Sequence, residues 1–337
     1  EPTADISPDD YQPGLAELWV GQDGRRYGAP KDWDTVGLFY DRGRLSEAGI
    51  SEQDLSALDW NPTDGGSFEK VVARLTVDEA GRRGDEPGFD KNRVKVYGFG
   101  TNGSGGDGFG QTQWSPFTAS AGWSFTDQNP WGTRYRYDDP GFQQTVAWYF
   151  SLAEKGYMPR FETFGPDSTA YQQFAAGRVA LALQGSWMIS SFQSVKDVDL
   201  AVAPTPIGPT GKRASMFNGL ADSVTRFAED PQAAARWVKF LSDGACQDII
   251  GGAGVVFPAR ESGTKKSMAK RAEQGLDVSA FTRHIDEGTT FPFPVTERGA
   301  DVTALVQPAM DGVYIGSQPV SSMTEVNSQV NRLFEFR

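Results

Sequence analysis

The sequence predicts an α/β protein built as two lobes. Strand-like apolar runs alternate with segments of helical periodicity, which favours helix-covered sheets. At 337 residues the chain is longer than one compact core normally holds. No apolar run approaches the ~20 residues that span a bilayer, and the longest is the strand-sized VALAL of Val179 to Leu183.

The opening EPTADISPDDYQPG is polar and helix-poor, unlike a signal peptide. Leu15 to Val20 and Arg25 to Pro30, separated by a GQDG turn, read as a helix end followed by a strand. Thr35 to Tyr40 (TVGLFY) reads as an apolar strand. A turn over 64–67 precedes a helix, with Phe68, Val71, Val72 and Leu75 at helical spacing. Residues 81–93 are charged and glycine-broken, which predicts an exposed insertion. Tyr97 to Gly110 is a strand running into a glycine-rich loop.

Asp139-Pro140 supplies a cap and a first-turn proline for a helix whose face is Phe142, Val146, Tyr149, Phe150 and Ala153. A second helix runs from Ser168 to Ala176, stops at Gly177 and feeds the VALAL strand. Asp230-Pro231 opens a third, with Ala234, Trp237, Val238 and Leu241 on one side. Val302, Leu305, Val306, Ala309 and Met310 mark a fourth, and Val326, Val330, Leu333 and Phe334 a last one.

Composition narrows the function. Thirty-two basic against 44 acidic residues give −12, which argues against nucleic acid and against an anionic membrane surface. A single cysteine, Cys246, excludes an internal disulfide and any cysteine-rich zinc site. A single histidine, His284 in FTRHIDEG, speaks against a His-based metal site or a Ser-His-Asp engine; it reads as a surface or capping residue. Cys246 reads as a small, half-buried apolar residue near a helix start. No cofactor is called for.

Several motifs have dull readings that win. Gly98, Gly100 and Gly103 fit GxGxxG, yet no helical periodicity follows, as a dinucleotide site requires. Asp127, Asn129 and Gly132 mimic part of a calcium loop, but Trp131 stands at a ligand position, so a hairpin tip is preferred. Asn102-Gly103-Ser104 is a glycosylation sequon that matters only in a eukaryotic secretory route. Carboxylates are abundant enough for a glycosidase pair, although nothing marks two of them as partners.

Nine tryptophans are the most informative count. Trp148 and Trp237 lie in helices with good apolar periodicity and read as core, and Trp19 reads as packing at a helix end. Trp33, Trp114, Trp123, Trp131 and Trp187 sit in or beside loops rich in Gly, Asp, Ser or Asn. An indole flanked by short polar groups suits a sugar, whose CH face stacks on the ring while amides and carboxylates take the hydroxyls.

Five segments in order resemble the family 1 extracellular solute-binding proteins of ABC importers. They are RYGAPKDWDTVGLFYDRGRLSEAGI (Arg26 to Ile50), FAAGRVALALQGSWM (Phe174 to Met188), LAVAPTPIGPTGKRASMFNGLADSV (Leu200 to Val224), PQAAARWVKFLSDGACQDIIG, and GVVFPARES. Order and spacing run parallel to the family over most of residues 11–337. The resemblance implies a periplasmic-binding-protein-like fold of type II, two α/β lobes that close on solute. It places lobe one at 1–37 and 219–292 and lobe two at 38–216 and 296–337, with crossings near 35–40, 216–221 and 291–295. FPFPV would be a proline-stiffened hinge.

The pattern departs from the family in three places. Several βα units that precede the DYQPGLAELW region in family members are expected to be missing, leaving part of the first lobe's sheet without partners. Asp41 stands where the family has asparagine, and Gly122-Trp123 where it has Gly-Gly.

Carried over by position, the implied ligand-binding residues are Trp33, Asp34, Trp114, Trp123, Trp187, Asn218 and Gly219. Trp187 of GSW would be the stacking platform. The function implied is the substrate-binding component of an importer: a non-enzymatic monomer outside the cytoplasm, in the periplasm or anchored at the cell surface by an N-terminal lipid, that presents a sugar or oligosaccharide to a membrane permease. The rivals are a carbohydrate-active enzyme using a carboxylate pair, and a receptor that senses solute for a kinase.

Overall fold

The computed structural model describes residues 7–102, 108–161, 163–165 and 168–335. Its contacts divide the chain into two compact units. The first takes the chain up to Thr35 together with Phe217–Thr282, and the second takes Val36–Met216 and Arg283–Arg337. The chain therefore changes unit after Thr35, after Met216 and after Thr282.

The first unit is helical, with short strand pairs. Asp32–Trp33 pairs antiparallel with Phe257–Pro258, and Ala29–Pro30 with Ala221–Asp222. Asp230 caps the helix Pro231–Ser242 by accepting from Ala233 N–H, and Asp243 caps Gly244–Ala253 through Ala245 N–H. The helix Glu261–Glu273 lies very close to Gly244–Ala253. A Cβ on Gly251 would overlap the Gly263 backbone, so only glycine permits that approach. Trp33, Phe257, Phe281, Leu276 and Val278 form the core of this unit.

The second unit is built on one five-stranded sheet in the order Val77–Asp78, Val94–Gly100, Val179–Gly185, Val36–Asp41, Leu200–Ala203. Val94–Gly100 and Val179–Gly185 run parallel, with Phe99 opposite Leu181, and the other pairings are antiparallel. All seven residues of Val179–Gly185 are buried. Helices cover both faces of such a strand, and that accounts for a continuous apolar run where alternation would mark a half-exposed one.

Gly98 belongs to this packing and to no nucleotide turn. A Cβ there would overlap the Val72 carbonyl, so its glycine lets the helix Gly66–Leu75 press against the strand. Gly103 lies outside the described residues, as does the core of the glycine-rich loop.

Aromatic rings fill the layer beneath the sheet. Trp60 stacks on Trp148 at 4.9 Å between centroids, and Phe68, Phe99, Phe117 and Tyr149 close around them. The helix Pro140–Glu154, capped by Asp139, supplies Trp148 and Tyr149 from its buried face. Gly299–Tyr314 and Met323–Arg332 pack together, and Asn327 and Asn331 accept from the backbone N–H groups of Tyr137 and Tyr135.

Several expectations change. The 15–30 region holds only a one-turn helix over Glu17–Trp19 and the two-residue strand Ala29–Pro30. Trp237 is 59% exposed and stacks on Phe240. Helix Pro231–Ser242 buries Ala235, Val238 and Ser242 instead, a narrower stripe rotated away from the indole. His284 is fully buried. FPFPV lies inside the second unit, after the last change of unit. Asn129 Nδ2 donates to the Phe293 carbonyl, Val295 N–H donates back to Asn129 Oδ1, and Phe109 packs on Phe293, so this segment is tied to the second unit.

The 127–134 segment is a hairpin tip. Asp127 Oδ1 accepts backbone N–H groups of Gln128, Thr133 and Arg134, so the carboxylate serves the turn. Residues 81–93 form an exposed excursion pinned by Asp78, which accepts from Ala80, Arg82 and Asp90.

Candidate functional site

In sheets with parallel strands, ligands gather beyond the strands' carboxyl ends, where backbone and loop groups are open. In the second unit those ends are Gly100 and Gly185. Val36 pairs with Gly185, so the same edge receives the chain as it enters this unit.

Trp187 sits here on the single turn Ser186–Met188 that leads into the helix Ile189–Gln193. A Cβ on Gly185 would collide with the six-membered ring of Trp187. The indole therefore folds back over the strand end, and it can do so only because residue 185 lacks a side chain. The ring is 37% exposed, the only large aromatic of those singled out for a ligand role to show this much surface. One side backed by polypeptide and the other open is the geometry of a stacking platform.

The other tryptophans named from sequence are placed differently. Trp33 is 0% exposed: it stacks on Phe257 at 4.9 Å and donates through Nε1 to Thr264 Oγ1 at 2.9 Å. Trp114 is buried against Trp123, Phe125 and Phe142, and Gly110 is glycine because the Trp114 ring fills its Cβ position. Trp123 lies against Phe142 and donates to the Arg136 carbonyl. These three rings have no open face for a sugar. Their loops are polar, but the loops fold over a core. Trp131 is half-buried, with its backbone N–H on the Val295 carbonyl.

In the first unit Asp34, Asn218 and Gly219 come together. Asp34 and Asn218 exchange backbone hydrogen bonds at 2.8 and 3.0 Å. Gly219 is set against Asp32, whose carbonyl leaves no space for a Cβ, so its glycine answers a close approach. Asp32 Oδ1 accepts Leu220 N–H at 2.8 Å, and burial pushes the Asp32 carboxyl up from its usual range. Asp34 lies two residues before the chain enters the second unit, and Asn218 two residues after it returns.

Sequence reading passed over a set of amides at the same edge as Trp187. Thr101 N–H donates to Gln173 Oε1 at 3.3 Å, and Gln173 Nε2 donates to the Thr101 carbonyl at 2.9 Å. Gln113 Nε2 donates to the Asn102 carbonyl at 2.7 Å, and Gln184 Nε2 to Asn102 Oδ1 at 2.8 Å. The partners stand up to 82 positions apart, and only the sequon had drawn attention to Asn102. Among the described residues no group of histidine, cysteine, aspartate and glutamate is arranged to hold a metal ion.

Comparison with known proteins agrees with this architecture. The chain is 23% identical to the maltodextrin-binding protein MdxE of Bacillus subtilis (strain 168) over 319 residues, which is 94% of this chain and 68% of that protein. Among solved structures it resembles UspC of M. tuberculosis, with a TM-score of 0.79 and 22% identity over 98% of this chain and 81% of the other. It also resembles the ABC substrate-binding protein Lmo0181 from Listeria monocytogenes, solved in complex with cycloalternan, with a TM-score of 0.78 and 16% identity over 99% and 78% of the two chains. The family model described as bacterial extracellular solute-binding protein matches residues 1–273, the greater part of the chain. The chain therefore belongs to the bacterial extracellular solute-binding proteins, a family that acts outside the cytoplasm.

Proposed function

We propose that this chain is the substrate-binding component of an ABC importer, capturing a sugar or oligosaccharide and presenting it to a membrane permease. The observation that carries this reading is Trp187: a partly exposed indole, backed by Gly185, at the carboxyl edge of the parallel strands. A pyranose offers a flat CH face to such a ring. The maltodextrin named for the Bacillus relative and the cycloalternan named for the Listeria structure point to the same solute class. Binding shifts the protein's conformational population towards the state with more ligand contacts. The protein does not turn its solute over, works as a monomer, and acts outside the cytoplasm, in the periplasm or anchored at the cell surface by an N-terminal lipid.

The test is a thermal-shift panel of glucose, maltose, maltotriose, mannobiose and a cyclic oligosaccharide. At ~100 times the dissociation constant, binding to the native state adds about 2.7 kcal/mol. A raised midpoint with one saccharide class, and no release from aryl glycosides, is the expected result. A flat panel on a cooperatively melting protein would remove the sugar, and hydrolysis would restore the enzyme.

A further inference from the structure

We infer that Asn102 is a positioning residue for solute binding: its side-chain amide fastens the strand end that carries Gly185 and Trp187. The inference rests on the reading of Trp187 as the stacking platform.

Asn102 stands two residues beyond the strand Val94–Gly100. Its Oδ1 accepts from Gln184 Nε2 at 2.8 Å and from the Ala170 backbone N–H at 3.0 Å. Its Nδ2 donates to Thr112 Oγ1 at 2.7 Å and, more weakly, to the Thr112 carbonyl at 3.5 Å. One side chain thus joins four segments: the end of Val94–Gly100, the turn that holds Thr112, the first turn of the helix Ala170–Ala175, and the end of Val179–Gly185. Its own backbone is held from outside by Gln113, and that of Thr101 by Gln173, so the anchor does not move with its load.

The consequence falls on Gln184. This residue is 6% exposed, and Asn102 Oδ1 is the acceptor of its Nε2. Without that acceptor a buried amide is left unsatisfied, which costs more than the hydrogen bond contributed. The adjacent backbone would shift to regain a partner. That backbone is Gly185, the surface against which the Trp187 ring lies. A stacking platform displaced by a fraction of an ångström loses the ligand without unfolding the unit.

The experiment measures maltotriose affinity by calorimetry, tryptophan fluorescence on titration, and the melting midpoint for wild type, Asn102→Ala, Asn102→Asp and Gln184→Met. Aspartate keeps the acceptors for Gln184 and Ala170 and can accept from the Thr112 hydroxyl, so Asn102→Asp should stay within about twofold of wild type. Asn102→Ala should lose about tenfold in affinity and blunt the fluorescence change. Gln184→Met removes the donor at nearly constant volume. It should show a similar loss, and Asn102→Ala combined with Gln184→Met should lose less affinity than the two single losses added together. Should Asn102→Ala fail to fold, Gln184→Met and Asn102→Asp decide alone. A lowered midpoint with unchanged affinity in Gln184→Met, or an Asn102→Asp variant as weak as alanine, would overturn the inference. Wild-type protein that binds no saccharide would overturn the solute reading itself, and the inference with it.

Discussion

The chain's one histidine allows an isolated pH test. His284 is fully buried, with Nδ1 at 3.1 Å from Thr289 Oγ1 and Nε2 at 3.5 Å from Thr205 Oγ1. Burial, reinforced by the guanidinium groups of Arg213 and Arg283, lowers its pKa to about 3, against a smaller opposing hydrogen bond with the Val36 backbone. An unfolded histidine titrates near 6.5. The folded value is the lower one, so the unfolded chain binds the extra proton between the two. Stability is therefore fully present above pH 6.5 and is lost as pH falls towards 3.

The loss between pH 7 and pH 5 is about 2 kcal/mol, and the whole span from 6.5 to 3 amounts to about 5 kcal/mol. Few ordinary carboxylates have titrated by pH 5, so the difference between wild type and His284→Gln isolates the imidazole. Urea denaturation at pH 7, 6 and 5 should show the wild type losing this increment and the variant holding nearly level. The imidazole C2 proton, a single resonance in this chain, should keep its neutral shift down to pH 5. Parallel denaturation profiles, or a folded-state titration near 6.5, would refute the argument.

Further substitutions separate the site from the core. Trp187→Ala should cost roughly tenfold or more in saccharide affinity, about 1.4 kcal/mol, with little change in melting midpoint; calorimetry and a melting curve on one preparation check both halves. Gly185→Ala should weaken binding comparably, because its Cβ displaces the indole from the strand end, and the same titration reads it. Trp33→Ala should destabilise by about 3–5 kcal/mol through the cavity it leaves, as denaturant unfolding would report. Trp237→Ser, on the exposed face of its helix, should stay within about 0.5 kcal/mol of wild type in the same assay.

Much of the fold was legible because local chemistry and global packing agree. Asp139-Pro140 and Asp230-Pro231 begin helices where cap and first-turn chemistry say they should. VALAL is a strand buried on both faces. The candidate site was legible in part: GSW singled out Trp187 through a resemblance, and the structure places its ring, partly exposed, in the space Gly185 leaves. Trp33, Trp114 and Trp123 misled because a polar neighbourhood in sequence says nothing about which rings lie over the neighbours in space.

The sequence by itself determined the α/β class, the helix starts, the two-lobed expectation from length and, through its single cysteine, the exclusion of a cysteine-rich metal site. Those properties rest on composition and on contacts within a few residues. Only the tertiary structure decided that Trp187 is the most exposed of the tryptophans flanked by polar loops, that His284 is sealed from water, and that Asn102 holds Gln184 across 82 positions. Each of these depends on which distant segments meet. A side chain's exposure and its hydrogen-bond partners are properties of that meeting and are not written in the residues beside it.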